Sequence, residues 1–118
     1  MHKEILTEEQ IELLPIFKKF YKDFGLVGGT AIALYLGHRR SIDFDFFSFT
    51  EFNNLNIQKK ILRIVKIDRV FVNKAGEFTI SANGVKITFF HYPFDIDFLK
   101  ELDGIIKMPD LVTLAAMK

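Results

Sequence analysis

At 118 residues the chain has the length of one domain with a real core. Its 16 basic and 15 acidic residues leave a formal net charge of +1, which excludes a general electrostatic footprint for wrapping DNA or coating an anionic membrane. The absence of cysteine excludes disulfides, Cys-ligated zinc and thiol catalysis; a charged N-terminus and no run of ~20 apolar residues argue against a signal peptide and a membrane span, so a cytoplasmic, soluble protein is expected.

Thr7 and Gln10 have capping-box spacing, and Ile11, Leu14, Phe17, Phe20, Tyr21 and Phe24 then recur at helical spacing. They predict an amphipathic helix over about 8–23, with Pro15 tolerated in its first turns or kinking it. Lys18, Lys19 and Lys22 fall on its polar side, a solvated face. Residues 24–27 form a brief apolar run entering Gly28-Gly29, and 30–36 reads as a short helix stopped by Gly37. Residues 42–49 alternate acids with aromatics, the pattern of a strand with one polar and one packed face. Asp43 and Asp45 then share the polar face while Phe44 and Phe46 enter the core. A second long helix is expected over 51–64, although Asn53, Asn54 and Asn56 are poor helix formers near its start. Residues 65–72 and 77–81 are β-rich, and Asn83-Gly84 signals a two-residue hairpin continued by 85–92 and ended by Pro93. The segment 94–106 reads as a short helical turn followed by a strand through Ile105. Asp110, after Pro109, is placed to N-cap a helix over 111–118. The 14 phenylalanines, with no tryptophan, are spaced for core packing rather than for base stacking.

The chemistry concentrates in two places. A glycine pair between a strand and a helix lets the backbone approach a phosphate, and the helix N-terminus adds N–H donors and partial positive charge. Asp43 and Asp45, at i and i+2, lie roughly 6.5–7 Å apart along one strand face. Held together without a partner they repel, and one titrates high. A magnesium ion, satisfied by one or two carboxylates plus substrate phosphates, resolves that repulsion. The competing reading pairs the two acids with Arg39 and Arg40 at the surface, but such pairs contribute only about 0–1 kcal/mol.

A glycine pair, 13 residues and then Asp-Phe-Asp-Phe resembles the DNA polymerase β-like nucleotidyltransferase superfamily. More narrowly, Gly28-Gly29-Thr30-Ala31-Ile32-Ala33-Leu34 with Leu36-Gly37-His38-Arg39-Arg40-Ser41-Ile42-Asp43-Phe44-Asp45-Phe46-Phe47 is similar to the AbiEii/AbiGii toxin family of nucleotidyltransferases. Met108-Pro109-Asp110-Leu111 with Ala115-Ala116-Met117-Lys118 resembles that family's later helix. The resemblance implies an α/β fold, a small mixed sheet flanked by helices with the first helix and the Thr30 helix on its packed side. A single domain is expected over 1–118, its core about 24–118, without the helical region that normally follows the lysine. An apolar patch left uncovered there points to self-association.

The resemblance further implies Mg2+-dependent transfer of a nucleoside monophosphate from an NTP to a hydroxyl of RNA or protein, in a toxin-antitoxin or phage-defence setting with an antitoxin as partner. Asp43 and Asp45 take the metal-ligand and catalytic roles. Gly28, Gly29, Thr30, Arg40 and Lys118 take nucleotide-binding roles. A third carboxylate, common in active members on a neighbouring strand, falls at Thr88 here. Asp95 or Asp97 beyond Pro93 are the substitutes, and His91 is the other titratable group nearby. The alternative reading is a non-catalytic nucleotide-binding or partner-binding module that keeps the fold.

Overall fold

The structure, a computed structural model, describes residues 1–98 and 100–117. Helix α1 spans Glu8–Phe17, and Thr7 caps it through the full capping box with Gln10. It is shorter than its apolar spacing predicts. With Pro15 inside it, the chain tightens after Phe17 into a 3-10 turn, Lys18–Phe20. Strand β1 is Gly25–Val27 and runs directly into helix α2, Gly28–Leu36, which Gly37 ends in a left-handed conformation at φ 62°. Strand β2, Phe44–Ser48, is followed by helix α3, Asn54–Leu62. The asparagines that weaken a helix interior here start one: the Asn53 side chain accepts from the Asn56 N–H at 3.1 Å.

Strands β3 (Ile67–Lys74), β4 (Glu77–Ala82) and β5 (Val85–His91) form an antiparallel meander. Asn83 and Gly84 both take positive φ in the β4–β5 turn, the geometry for which that pair is preferred. The predicted single strand through Ile105 is instead a small hairpin of β6 (Lys100–Leu102) and β7 (Ile106–Met108). Its turn is Asp103-Gly104, again at positive φ, an Asp-Gly signal as explicit as Asn83-Gly84. Asp110 caps helix α4, Leu111–Ala116, accepting from the Thr113 N–H at 2.8 Å.

The five-stranded sheet has the order β1-β2-β5-β4-β3 and is mixed, because β2 and β5 pair in parallel while the other neighbours are antiparallel. One face is aromatic and fully packed. Phe44 and Phe46 align with Ile87 and Phe89 of β5, which align with Ile80 and Phe78 of β4, all buried. The first helical segment covers this face: Phe17 lies 4.6 Å from Phe44 and 4.7 Å from Phe46 between ring centroids, and Phe20 lies 5.1 Å from Phe89. Ile57 and Ile61 of α3 are buried in the same core. The opposite face is mixed. It carries Asp45, Thr88 and Thr79 in one row, with Phe47 and Phe90 in the next. Helix α2 sits at the β1–β2 edge. The His2 N–H donates to the Leu34 carbonyl at 2.8 Å, and the Tyr35 hydroxyl donates to the Pro109 carbonyl at 2.7 Å, tying α2 to the N-terminus and to the approach of α4.

Candidate functional site

Asp45 is the central acid of the polar face. Its strand neighbours are Val27 of β1 and Thr88 of β5, so it stands beside the β1–α2 turn on one side and a hydroxyl on the other. Gly28 makes that proximity possible. Its φ is +76°, and a Cβ on it would stand 2.6 Å from Asp45 Oδ2. Both the backbone conformation and the approach of the carboxylate therefore exclude a side chain at this position. Val27 provides no side-chain cap to α2, so among the described residues the first N–H groups of this nine-residue helix have no N-cap side chain as acceptor. Donors and partial positive charge are thus gathered beside a carboxylate.

Asp43 departs from the expected strand position. The strand begins at Phe44, and Asp43 is exposed on the preceding loop. Long-range hydrogen bonds hold that loop instead of ladder pairing. The buried Thr30 hydroxyl bonds to Ser41 Oγ at 2.7 Å and to the Asp43 carbonyl, and Gln10 Nε2 donates to the Ser41 carbonyl at 2.7 Å. Thr30, a nucleotide contact in the sequence reading, is 2 % exposed with its hydroxyl turned inward onto this loop. There the hydroxyl ties helix α2 to the segment that carries Asp43.

The two acids still sense each other. The Asp45 carboxyl is held above its ordinary range, first by burial and then by the negative charge of Asp43, while Lys86 opposes the shift. Among the described residues no ion pair joins Arg39 or Arg40 to either acid, so the surface-pair reading finds no support. Both arginines are exposed. Arg39 is the one the glycine turn meets: a Cβ on Gly29 would lie 3.0 Å from its terminal guanidinium nitrogen. The family resemblance matches Arg40, not Arg39, to an arginine near the acidic strand. The second of the two glycines lacks a side chain where Arg39 crosses it, and only the folded loop reveals that.

A cavity of about 210 Å³ opens at Asp45, lined by Val27, Gly28, Phe90, Tyr92, Leu114 and Met117 besides the acid. Lys118 lies outside the described residues. Thr88 stands opposite Asp45, at the neighbouring-strand position where a third carboxylate was sought. The substitutes do not reach it. Asp95 and Asp97 line a separate groove with Ser48, Phe49 and Thr50, and His91 aligns with Ser48. These groups gather at the far end of β2, roughly 15 Å of strand away from Asp43.

No group of three or more His, Asp or Glu positioned to hold a metal ion occurs among the described residues. Two carboxylates, one of them partly desolvated and repelled by the other, nonetheless fit a hard divalent cation that completes its shell with water and phosphate oxygens. Zinc, whose sites are built chiefly from histidine and cysteine, does not suit a donor set of two aspartates. No helix of the described residues is long and apolar enough to cross a membrane.

Comparison with known proteins identifies the family and the fold. The family model described as "Nucleotidyl transferase AbiEii toxin, Type IV TA system" matches residues 16–109, most of the chain. The uncharacterized protein aq_aa25 of Aquifex aeolicus (strain VF5) is 36% identical over 95 residues, covering 77% of this chain and 46% of its own length. The chain therefore spans about half the length of that curated relative. Among solved structures, TM1012, a proposed nucleotidyltransferase from Thermotoga maritima, superposes with a TM-score of 0.63 at 14% identity, over 95% of this chain and 84% of that one. A proposed nucleotidyltransferase from H. pylori superposes with a TM-score of 0.60 at 14% identity, over 92% of this chain and 55% of that one. At such identities the two structures speak for the fold.

Proposed function

Because the chain belongs to the nucleotidyl transferase AbiEii toxin family, we propose that it transfers a nucleoside monophosphate from an NTP to a hydroxyl of RNA or protein, with pyrophosphate leaving. The observation that carries this reading is the packing of Asp45 against Gly28, which places a carboxylate beside uncapped helix N–H groups. Asp43 and Asp45 would hold Mg2+, which when bound neutralises the triphosphate and favours an in-line displacement.

The protein's own residues supply the rest by position. Gly28 and Gly29 give the triphosphate access to backbone donors, and Arg39 over Gly29, with Arg40 beside it, contributes charge at the same turn. Thr30 keeps the Asp43 loop against the helix. Lys118 is the family's further phosphate contact. A cognate antitoxin and a cytoplasmic location belong to the same reading. Incubating the chain with each α-labelled NTP, Mg2+ and cellular RNA or protein tests it. Label should transfer with one nucleotide preferred, and Asp43→Asn with Asp45→Asn should abolish transfer. Labelling at the wild-type rate in the double variant would remove these two residues from the reaction.

A second reading is supported by Thr88. A hydroxyl opposite Asp45 cannot serve as a carboxylate base, so a module that binds a nucleotide without turning it over also fits the site. Calorimetry with Mg2+ and each NTP, run beside the labelling assay, separates the two. Binding without transfer selects the second.

A further inference from the structure

The polar face of the sheet continues past Asp45. Strand β5 places Lys86 and Thr88 on it, and β4 places Ser81, Thr79 and Glu77, since Thr88 aligns with Thr79, Lys86 with Ser81 and Phe90 with Glu77. Lys86 is exposed. It lies one residue before Ile87, the partner of Phe44 at the start of β2, and two before Thr88, the partner of Asp45, so it shares the polar face on the strand next to that acid.

We propose that Lys86 stands in for a second divalent cation at the Asp43–Asp45 pair, so that the site holds one metal ion and the Lys86 ammonium contacts the triphosphate directly. This rests on the nucleotidyl-transfer reading above. A second divalent ion needs hard oxygen ligands of its own. The strand beside the acids offers a hydroxyl, already bonded to Thr79 at 3.2 Å, and an ammonium that repels cations. Glu77, the acid of β4 on this face, lies beyond β5, about 10 Å from β2 at ordinary strand spacing. Its Oε2 accepts from Thr79 Oγ1 at 3.4 Å.

The charge balance is preserved by this exchange. Two carboxylates and one ammonium total about −1, and one divalent ion brings the site to about +1. Three carboxylates with two divalent ions reach the same total. The triphosphate therefore meets an equally positive site, with three rotatable ammonium donors on a flexible stem in place of a metal.

Counting metals tests the assignment without reference to turnover. Crystals of the full chain grown with Mn2+ and inorganic triphosphate should show one anomalous manganese peak, at Asp43 and Asp45. Lys86→Glu should show two. Lys86→Ala should keep one and bind triphosphate about tenfold more weakly by calorimetry, as loss of a charge-assisted contact requires. Because Lys86 is exposed, both variants are expected to fold. Two manganese ions in the wild type, or unchanged triphosphate affinity in Lys86→Ala, would overturn the assignment and leave the nucleotidyl-transfer reading standing. Absence of any manganese at Asp43 and Asp45 would overturn both.

Discussion

The carboxylate of Asp45 rests against the backbone of Gly28, so closely that a methyl group on the glycine would stand 2.6 Å from Oδ2. Gly28 and Asp45 are therefore one unit, in which the missing side chain of one makes room for the charge of the other.

Gly28→Ala should be costly twice over. Its positive φ disfavours any L-residue by about 1–2 kcal/mol, and the methyl group must displace the carboxylate. We expect a loss of stability of at least about 1–2 kcal/mol in denaturant melts, with Mn2+ and triphosphate binding lost beyond what unfolding explains. Gly84→Ala is the control. It shares the positive φ but meets no neighbour, so it should lose stability and keep binding.

The Asp45 pKa makes stability depend on pH in a definite direction. Burial, then Asp43, raise its folded pKa above the ordinary carboxylate value, so the native state holds the proton longer than the unfolded chain does. Stability linked to this group is complete below the unfolded pKa and is lost as pH rises through the folded one. Asp45→Asn removes that loss. Its melting temperature should match the wild type at the acid end, below the ordinary carboxylate range, and exceed it at pH 7. Saturating Mg2+ should narrow the gap at pH 7, because only the wild type keeps both carboxylates to bind it. A difference constant across pH would refute the linkage.

Thr30 holds the Asp43 loop from a buried position. Thr30→Val removes the buried hydroxyl that bonds Ser41 and the Asp43 carbonyl and should cost about 0.5–1.5 kcal/mol. Thr30→Ser should restore most of it. If the loop positions Asp43, metal affinity measured by calorimetry falls in the valine variant and returns with serine.

Arg39 and Arg40 should separate. Arg39 crosses Gly29, and Arg39→Ala is expected to weaken triphosphate binding about tenfold, against two- to threefold for Arg40→Ala. Equal effects would mean that the two act only as diffuse charge.

Much of the fold is legible because its signals are local. The Thr7–Gln10 box, the Gly37 stop, the Asn83-Gly84 turn and the Asp110 cap each depend on residues within three or four positions, so local backbone preference alone specifies them. The Asp103-Gly104 hairpin carried an equal signal, obscured by the short strands on either side.

By itself the sequence determined where the glycine turn and the acidic strand lie, that Phe44 and Phe46 enter the core, and which family the chain resembles. Tertiary structure alone decided that Asp43 leaves the strand for a loop pinned by Thr30 and Gln10, that Arg39 meets Gly29, and that Asp95 and Asp97 lie at the wrong end of β2. It also set Lys86 on the strand next to Asp45, two residues before Thr88. The reason is register. β2 and β5 are some forty residues apart in the chain, and burial of Phe44, Phe46, Ile87 and Phe89 on one face fixes their alignment. Once that apolar row is set, the opposite face has no freedom left, and Asp45 meets Thr88.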